Sequence, residues 1–169
     1  MAGVIIGVPV ALMAYLYFVS IPPKEESLIR NFAQHRAEFE QLRGMLQADT
    51  HLVRAAGWGV QTVDPLYLGP QSGSSFPVER YDLYLALLKK VDGVGVSRGE
   101  GENPDVFILL WATGWAGDTK HVEVSYLSRE PADMVERLYV HFRKRLPSEG
   151  WKRQYKRIEG NWYLSTDIW

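Results

Sequence analysis

The chain has 169 residues, 46% of them hydrophobic and 23% charged, with 15 glycines, 9 prolines and a formal net charge of −1. That length suits one ordinary domain plus an appendage, and near-neutrality gives the whole molecule no electrostatic bias toward nucleic acid. The absence of cysteine excludes disulfides, thiolate metal ligands, a cysteine nucleophile and a lipidated N-terminal cysteine.

From Ala2 to Ile21 no residue is charged. Twenty predominantly apolar residues at about 1.5 Å each make a helix of about 30 Å, the thickness of a hydrocarbon core. Tyr15 and Tyr17 sit toward one end, where amphipathic rings suit the interface, and Pro22-Pro23 stops the helix before Lys24. A cleaved leader wants a basic start, a shorter apolar run and a small-residue cleavage site; this segment has none of these. The expectation is a retained signal anchor over residues 1–22, single-pass in a bacterial inner membrane, followed by a soluble α+β domain over 24–169. Lys24, Arg30, Arg36 and Arg43 after the span favour a cytoplasmic domain by charge count. They belong to a folded domain with acids interspersed, however, and the periplasmic side is expected. Gly3 and Gly7 form a G-x-x-x-G pair, the pattern that lets two spans pack into a homo-oligomer.

Lys24 to Ala48 predicts a helix, because Leu28, Phe32, His35, Phe39, Leu42 and Leu46 recur at spacings of 4-3-4-3-4. His51 to Val63 contains a short strand, and Asp64 to Phe76 reads as a loop. Pro77 starts a second helix with Tyr81, Tyr84, Leu85, Leu88 and Val91 on its buried side, closed by Asp92-Gly93. "GVGVS" is a strand, and "VFILLW" (Val106 to Trp111) is an apolar run suited to a strand covered on both faces. After the turn at Gly117-Asp118, Val122, Val124 and Tyr126 alternate with His121, Glu123 and Ser125 as in a half-exposed strand. Pro131 to Leu146 predicts a third helix. "WKRQYKRI" and "NWYLSTDIW" flank Glu159-Gly160 as a hairpin. Helices set apart from a run of mostly antiparallel strands, with about three helices in all, give an α+β domain.

Gly93, Gly95, Gly99 and Gly101 lie between a helix and a strand. A phosphate loop needs the reverse order, so that helix N-terminal amides face the phosphate, and these glycines read as turns. His35 and Glu38 are spaced as H-x-x-E, which does not set two ligands on one metal; no metal site and no cofactor is expected. Ser72, Ser74 and Ser75 lack the G-x-S-x-G elbow, and Glu25, Glu26, Glu38 and Glu40 fall on helix positions expected to be exposed. His121 and Glu123 share a strand face, the one pair from which acid–base chemistry could be built. Between Arg137 and Arg157 eight basic residues face only Glu149. With interleaved aromatics such a stretch suits single-stranded nucleic acid, anionic lipid or an acidic protein surface, and for a membrane-tethered chain the last two outrank nucleic acid.

"NFAQHRAEFEQL" (Asn31 to Leu42) and "YKRIEGNWYLSTD" (Tyr155 to Asp167) resemble segments of small envelope proteins and lipoproteins of Gram-negative bacteria, some of them similar to the immunity partners of secreted toxins. The resemblance implies an envelope location and a non-catalytic role; the lipidated cysteine of such lipoproteins is missing here, so the spanning helix would do the anchoring. The expected function is a non-enzymatic, membrane-anchored periplasmic domain that binds a protein with an acidic surface, a toxin held by an immunity-type inhibitor being one form of it. Contact is expected through Trp115, Trp162, Tyr163, Trp169, Arg153, Lys156 and Arg157. The alternatives are an envelope hydrolase using His121 and Glu123, and a structural subunit of a membrane assembly.

Overall fold

The computed structural model describes residues 21–63, 76–99, 104–115, 118–138 and 152–168, with the backbone alone at 114–115, 118–119, 152 and 168. Helix α1 spans Glu25–Gln34 and α2 spans Arg36–Ala48, where the apolar stripe predicts one helix. The break falls at His35, whose φ of −115° and ψ of 27° step out of helical geometry. His35 and Phe39 N–H groups donate to the Asn31 and His35 carbonyls at 3.0 and 3.1 Å, so helical bonding runs up to the bend and resumes from it. Leu28, Phe32, Phe39, Leu42 and Leu46 are all buried, because the stripe keeps the helical period across the bend.

The remaining elements are β1 (Leu52–Ala56), β2 (Gly59–Thr62), α3 (Val78–Lys90), β3 (Gly95–Arg98), β4 (Val106–Trp115), β5 (Asp118–Tyr126), β6 (Lys152–Glu159) and β7 (Trp162–Ile168). The strands form one seven-stranded sheet in the order β2-β1-β3-β4-β5-β7-β6, antiparallel at every step. Helix α3 closes at Asp92-Gly93 as expected, but it is Asp92 that takes the left-handed conformation, at φ 52°. Gly93 N–H then donates to the Leu88 carbonyl at 2.7 Å and satisfies the last turn. Gly160, at φ 53°, turns β6 into β7.

Alternation gives the sheet two faces. On one, Val96, Val106, Ile108, Val122, Val124, Trp162 and Leu164 are buried. Helices α1 and α2 cover it: the rings of Phe32 and Phe39 stand 5.4 and 6.1 Å from that of Trp162, and the Arg43 guanidinium lies 4.4 Å from the Tyr126 ring. Trp162 Nε1 donates to Glu40 Oε1 at 3.1 Å, so the indole is satisfied inside the core. The opposite face carries Arg54, Phe107, Leu109, His121 and Glu123, and no described helix covers it.

Residues 131–138 are not the α-helix that periodicity predicts. They run irregularly beside β6, where Val135 N–H donates to the Tyr155 carbonyl at 2.8 Å and Tyr155 N–H to the Asp133 carbonyl at 3.0 Å. Strand β6 ends the sheet, and its unpaired backbone groups take partners that a helix would have kept for itself. Residues 139–151, with the rest of that expected helix, lie outside the described residues, as do 64–75 and the remainder of the Gly99–Gly101 loop.

The transmembrane part of the expected fold is corrected. Among the described residues no helix is long and apolar enough to cross a membrane; α1, α2 and α3 have 10, 13 and 13 residues, or about 15–20 Å, and each carries charged side chains. The expected span with its Gly3–Gly7 pair lies outside the described residues except at Ile21. Among the described residues the structure contains an α+β domain with a seven-stranded antiparallel sheet and three helices, none of them long and apolar enough to cross a membrane. The signal anchor, the single-pass inner-membrane location and the membrane as a partner are corrected with it, because no described helix supports them. The tethered periplasmic binder, the envelope hydrolase and the membrane-assembly subunit took their location from it and are not carried forward.

Candidate functional site

Strands β5, β7 and β6 bring four ionisable side chains together on the open face. His121 and Glu123 are two apart on β5, and Asp167 on β7 pairs in register with Arg153 on β6. Asp167, whose side chain is fully buried, accepts from Arg153 Nε at 2.7 Å and Nη2 at 3.3 Å. Its Oδ2 also lies 3.1 Å from His121 Nε2. Arg153 Nη1 reaches Glu123 Oε2 at 3.3 Å, and His121 Nε2 stands 3.8 Å from the same oxygen. The Arg153 guanidinium lies 5.0 Å from the Phe107 ring, so a side chain from the sheet edge extends across β7 and β5 to rest on β4.

The cluster is asymmetric electrostatically. Burial, the largest influence, pushes the Glu123 carboxyl above the usual range; Arg153 and His121 pull it back only in part, and Asp167 adds to the rise. Burial alone would lower Arg153, but the hydrogen bond to Asp167 and the charges of Glu123 and Asp167 hold its guanidinium more firmly protonated. Asp167 is the committed counter-ion and Glu123 the reluctant one. Glu123 Oε2 is buried and accepts no hydrogen bond among the described residues.

Beside the cluster lies a recess of about 430 Å³. Arg153, Glu123 and His121 form one wall, and Arg54 with Trp58, from β1 and the β1–β2 turn, the other; Phe107, Leu109, Gly95 and Ala112 line it between. The shape follows from two local choices. Gly95 packs so closely against β1 that a Cβ there would stand 3.0 Å from that of Ala56. A bulge between Leu109 and Trp111 shifts the alternation of β4, so that Trp111 pairs with Val122 and Ala112 with His121. The bulge turns the large indole to the helix side and leaves a methyl group in the recess. A second recess, of about 440 Å³, is lined in part by Asp49 and Phe76; there the Asp49 carboxylate is committed to Arg80 Nε and the Tyr84 hydroxyl, each at 2.8 Å.

The residues singled out from sequence are dispersed. Trp162 and Tyr163 are each 1% exposed, Trp162 under the helices and Tyr163 on the opposite face, its ring 6.3 Å from that of Tyr155. Lys156 forms an ion pair with Glu25, whose other oxygen accepts from Leu138 N–H at 3.0 Å. Arg157 pairs with Glu130 at 2.6 Å. Of those whose side chains are described, Arg153 alone joins the cluster. Trp115 ends β4, its backbone paired with Asp118, and its side chain and Trp169 lie outside the described residues. In the described part of the basic stretch, Arg153, Lys156 and Arg157 each have an acidic partner supplied by another part of the chain. Among the described residues no three acidic or histidine groups converge to hold a metal; Arg153 lies between the two carboxylates.

His121 and Glu123 do open into one recess, as the alternation allows. Sequence reasoning missed Asp167, Arg54, Trp58 and Phe107. One signal was available for Phe107: "VFILLW" is apolar at every position, so whichever face of β4 the described helices leave open carries an apolar surface. No family model matches the chain, and neither the curated proteins nor the solved structures give a match. The resemblance to envelope proteins rests on the quoted segments alone.

Proposed function

We propose that this chain is a binding protein whose ligand occupies the recess on the open sheet face, and that it acts by recognition rather than turnover. The observation that carries the reading is convergence: strands β1, β3, β4, β5 and β6 all contribute to one recess of about 430 Å³, within the range of about 300–1,000 Å³ typical of small-molecule sites. Its lining has the usual division of labour, with aromatic and aliphatic surface for area and a few fixed polar groups for orientation. The wall is pre-organised, because Asp167 holds Arg153 and His121 in place from below. The polar groups are turned on one another rather than on a nucleophile; on the same face the buried Ser125 and Ser165 hydroxyls share a 2.6 Å hydrogen bond with each other.

The test is a screen of aromatic fragments by saturation-transfer NMR on the wild type and on Ala112→Phe. Ala112 is exposed, so the new ring fills the recess without entering the helix-side core. Fragments that bind the wild type and are lost from the variant are expected. The same set of binders in both proteins would place the ligand elsewhere.

A further inference from the structure

Resting on that reading, we propose that the recess selects a small organic anion, a flat apolar body bearing a carboxylate held between the guanidinium groups of Arg54 and Arg153. The lining carries two guanidiniums against one carboxylate. Arg54 is exposed and has no ion-pair partner among the described residues. It lies near enough to Glu123 for its charge to favour the ionised carboxyl. Arg153 is held to Asp167 through Nε and Nη2, while Nη1 meets Glu123 at 3.3 Å without forming a hydrogen bond to that oxygen. An incoming carboxylate offers both guanidiniums what Glu123 does not, a counter-ion with hydrogen bonds. Phe107, Leu109 and the half-exposed Trp58 supply the surface for the apolar body.

Glu123 is thus an internal competitor. It is faced by His121 on its own strand, Arg153 from β6, Asp167 from β7 and Arg54 from β1, and from β4 only by apolar side chains. Neutralising it frees Nη1 for the ligand, so removal of this carboxylate strengthens binding of an anion, whereas it would weaken binding of a cation.

Three probes of one shape and different charge test this by NMR titration: phenylacetate, phenylacetamide and 2-phenylethylamine. Phenylacetate is expected to bind about fivefold or more tighter than the amine, with the amide between. Its affinity alone should fall as NaCl is raised, a measurement that needs no variant. Arg54→Gln should weaken phenylacetate about threefold and leave phenylacetamide unchanged, and Glu123→Gln should tighten phenylacetate. Equal or tighter binding of the amine overturns the inference, as does a weaker grip on phenylacetate in a folded Glu123→Gln protein. If all three probes bind alike and Ala112→Phe abolishes them together, the recess remains the site and its charge selectivity is refuted. If none shifts the recess amides, both readings fall.

Discussion

Asp167 and Glu123 are both carboxylates beside Arg153, and their surroundings give them opposite characters. Asp167 receives two nitrogens of the guanidinium in good geometry, so its removal leaves a desolvated cation behind. Asp167→Ala should destabilise the fold by about 2–3 kcal/mol in urea unfolding, less than the roughly 3–5 kcal/mol of a fully enclosed pair, because the Arg153 side chain keeps 24% of its exposure. Glu123 has a folded pKa above its unfolded one, and such a carboxyl withdraws stability as pH rises between the two values. Glu123→Gln is therefore expected to gain melting temperature relative to the wild type as pH rises from about 4 toward neutrality. A constant gap across that range would refute the assignment. That His121 and Glu123 share a face was legible, because strand period is a local property. Their partners were not: Asp167 and Arg153 lie on another hairpin, and register decides who meets whom.

At the scale of elements, Trp162 shows how a residue's environment is set by what crosses it. It stands at a turn, which made it a candidate for contact with a partner, yet α1 and α2 pack Phe32 and Phe39 against it and Glu40 satisfies its N–H. Trp162→Ala should cost about 3–5 kcal/mol, read from the shift in urea midpoint at unchanged slope; a change under 1 kcal/mol would mean that the helices do not seat on β7. Strand β4 gives the complementary lesson. Its apolar run announced a strand, but the bulge after Leu109 decided that Ala112 and not Trp111 would line the recess. Bulges follow from pairing with a neighbour, and β4 alone carries no mark of one. The segment 131–138 had a helical period and became a partner for the edge of β6, since tertiary pairing outweighed a modest local preference.

For the whole molecule, two carboxylates bend the pH dependence of stability in opposite senses. Burial alone would raise Glu40, but hydrogen bonds from Arg36, Trp162 and Arg43 outweigh it and hold its carboxyl below the usual range. Its stabilisation is present above the unfolded value of about 4.3 and lost as pH falls through the folded one. Glu123 acts on the other side, withdrawing stability as pH rises above that same unfolded value. Melting temperature against pH should therefore fall away from a maximum on both sides, and the double variant Glu40→Gln/Glu123→Gln should flatten both limbs. If the acid limb survives in Glu40→Gln, the link between α2 and β7 is not what holds the fold at low pH.

By itself the sequence determined what period and turn chemistry can carry: the α+β class, the helix side of β5, the stop after α3 and the hairpin around Gly160. These are properties of neighbours along the chain, where a few residues fix dihedral angles and facing. Tertiary structure alone decided the bend at His35, the bulge in β4, the pairing of Arg153, Lys156 and Arg157 with distant acids, and the recess itself. Each depends on groups far apart in the chain being brought within a few ångströms, and a charge or an apolar run counted along the sequence does not say what it will lie against.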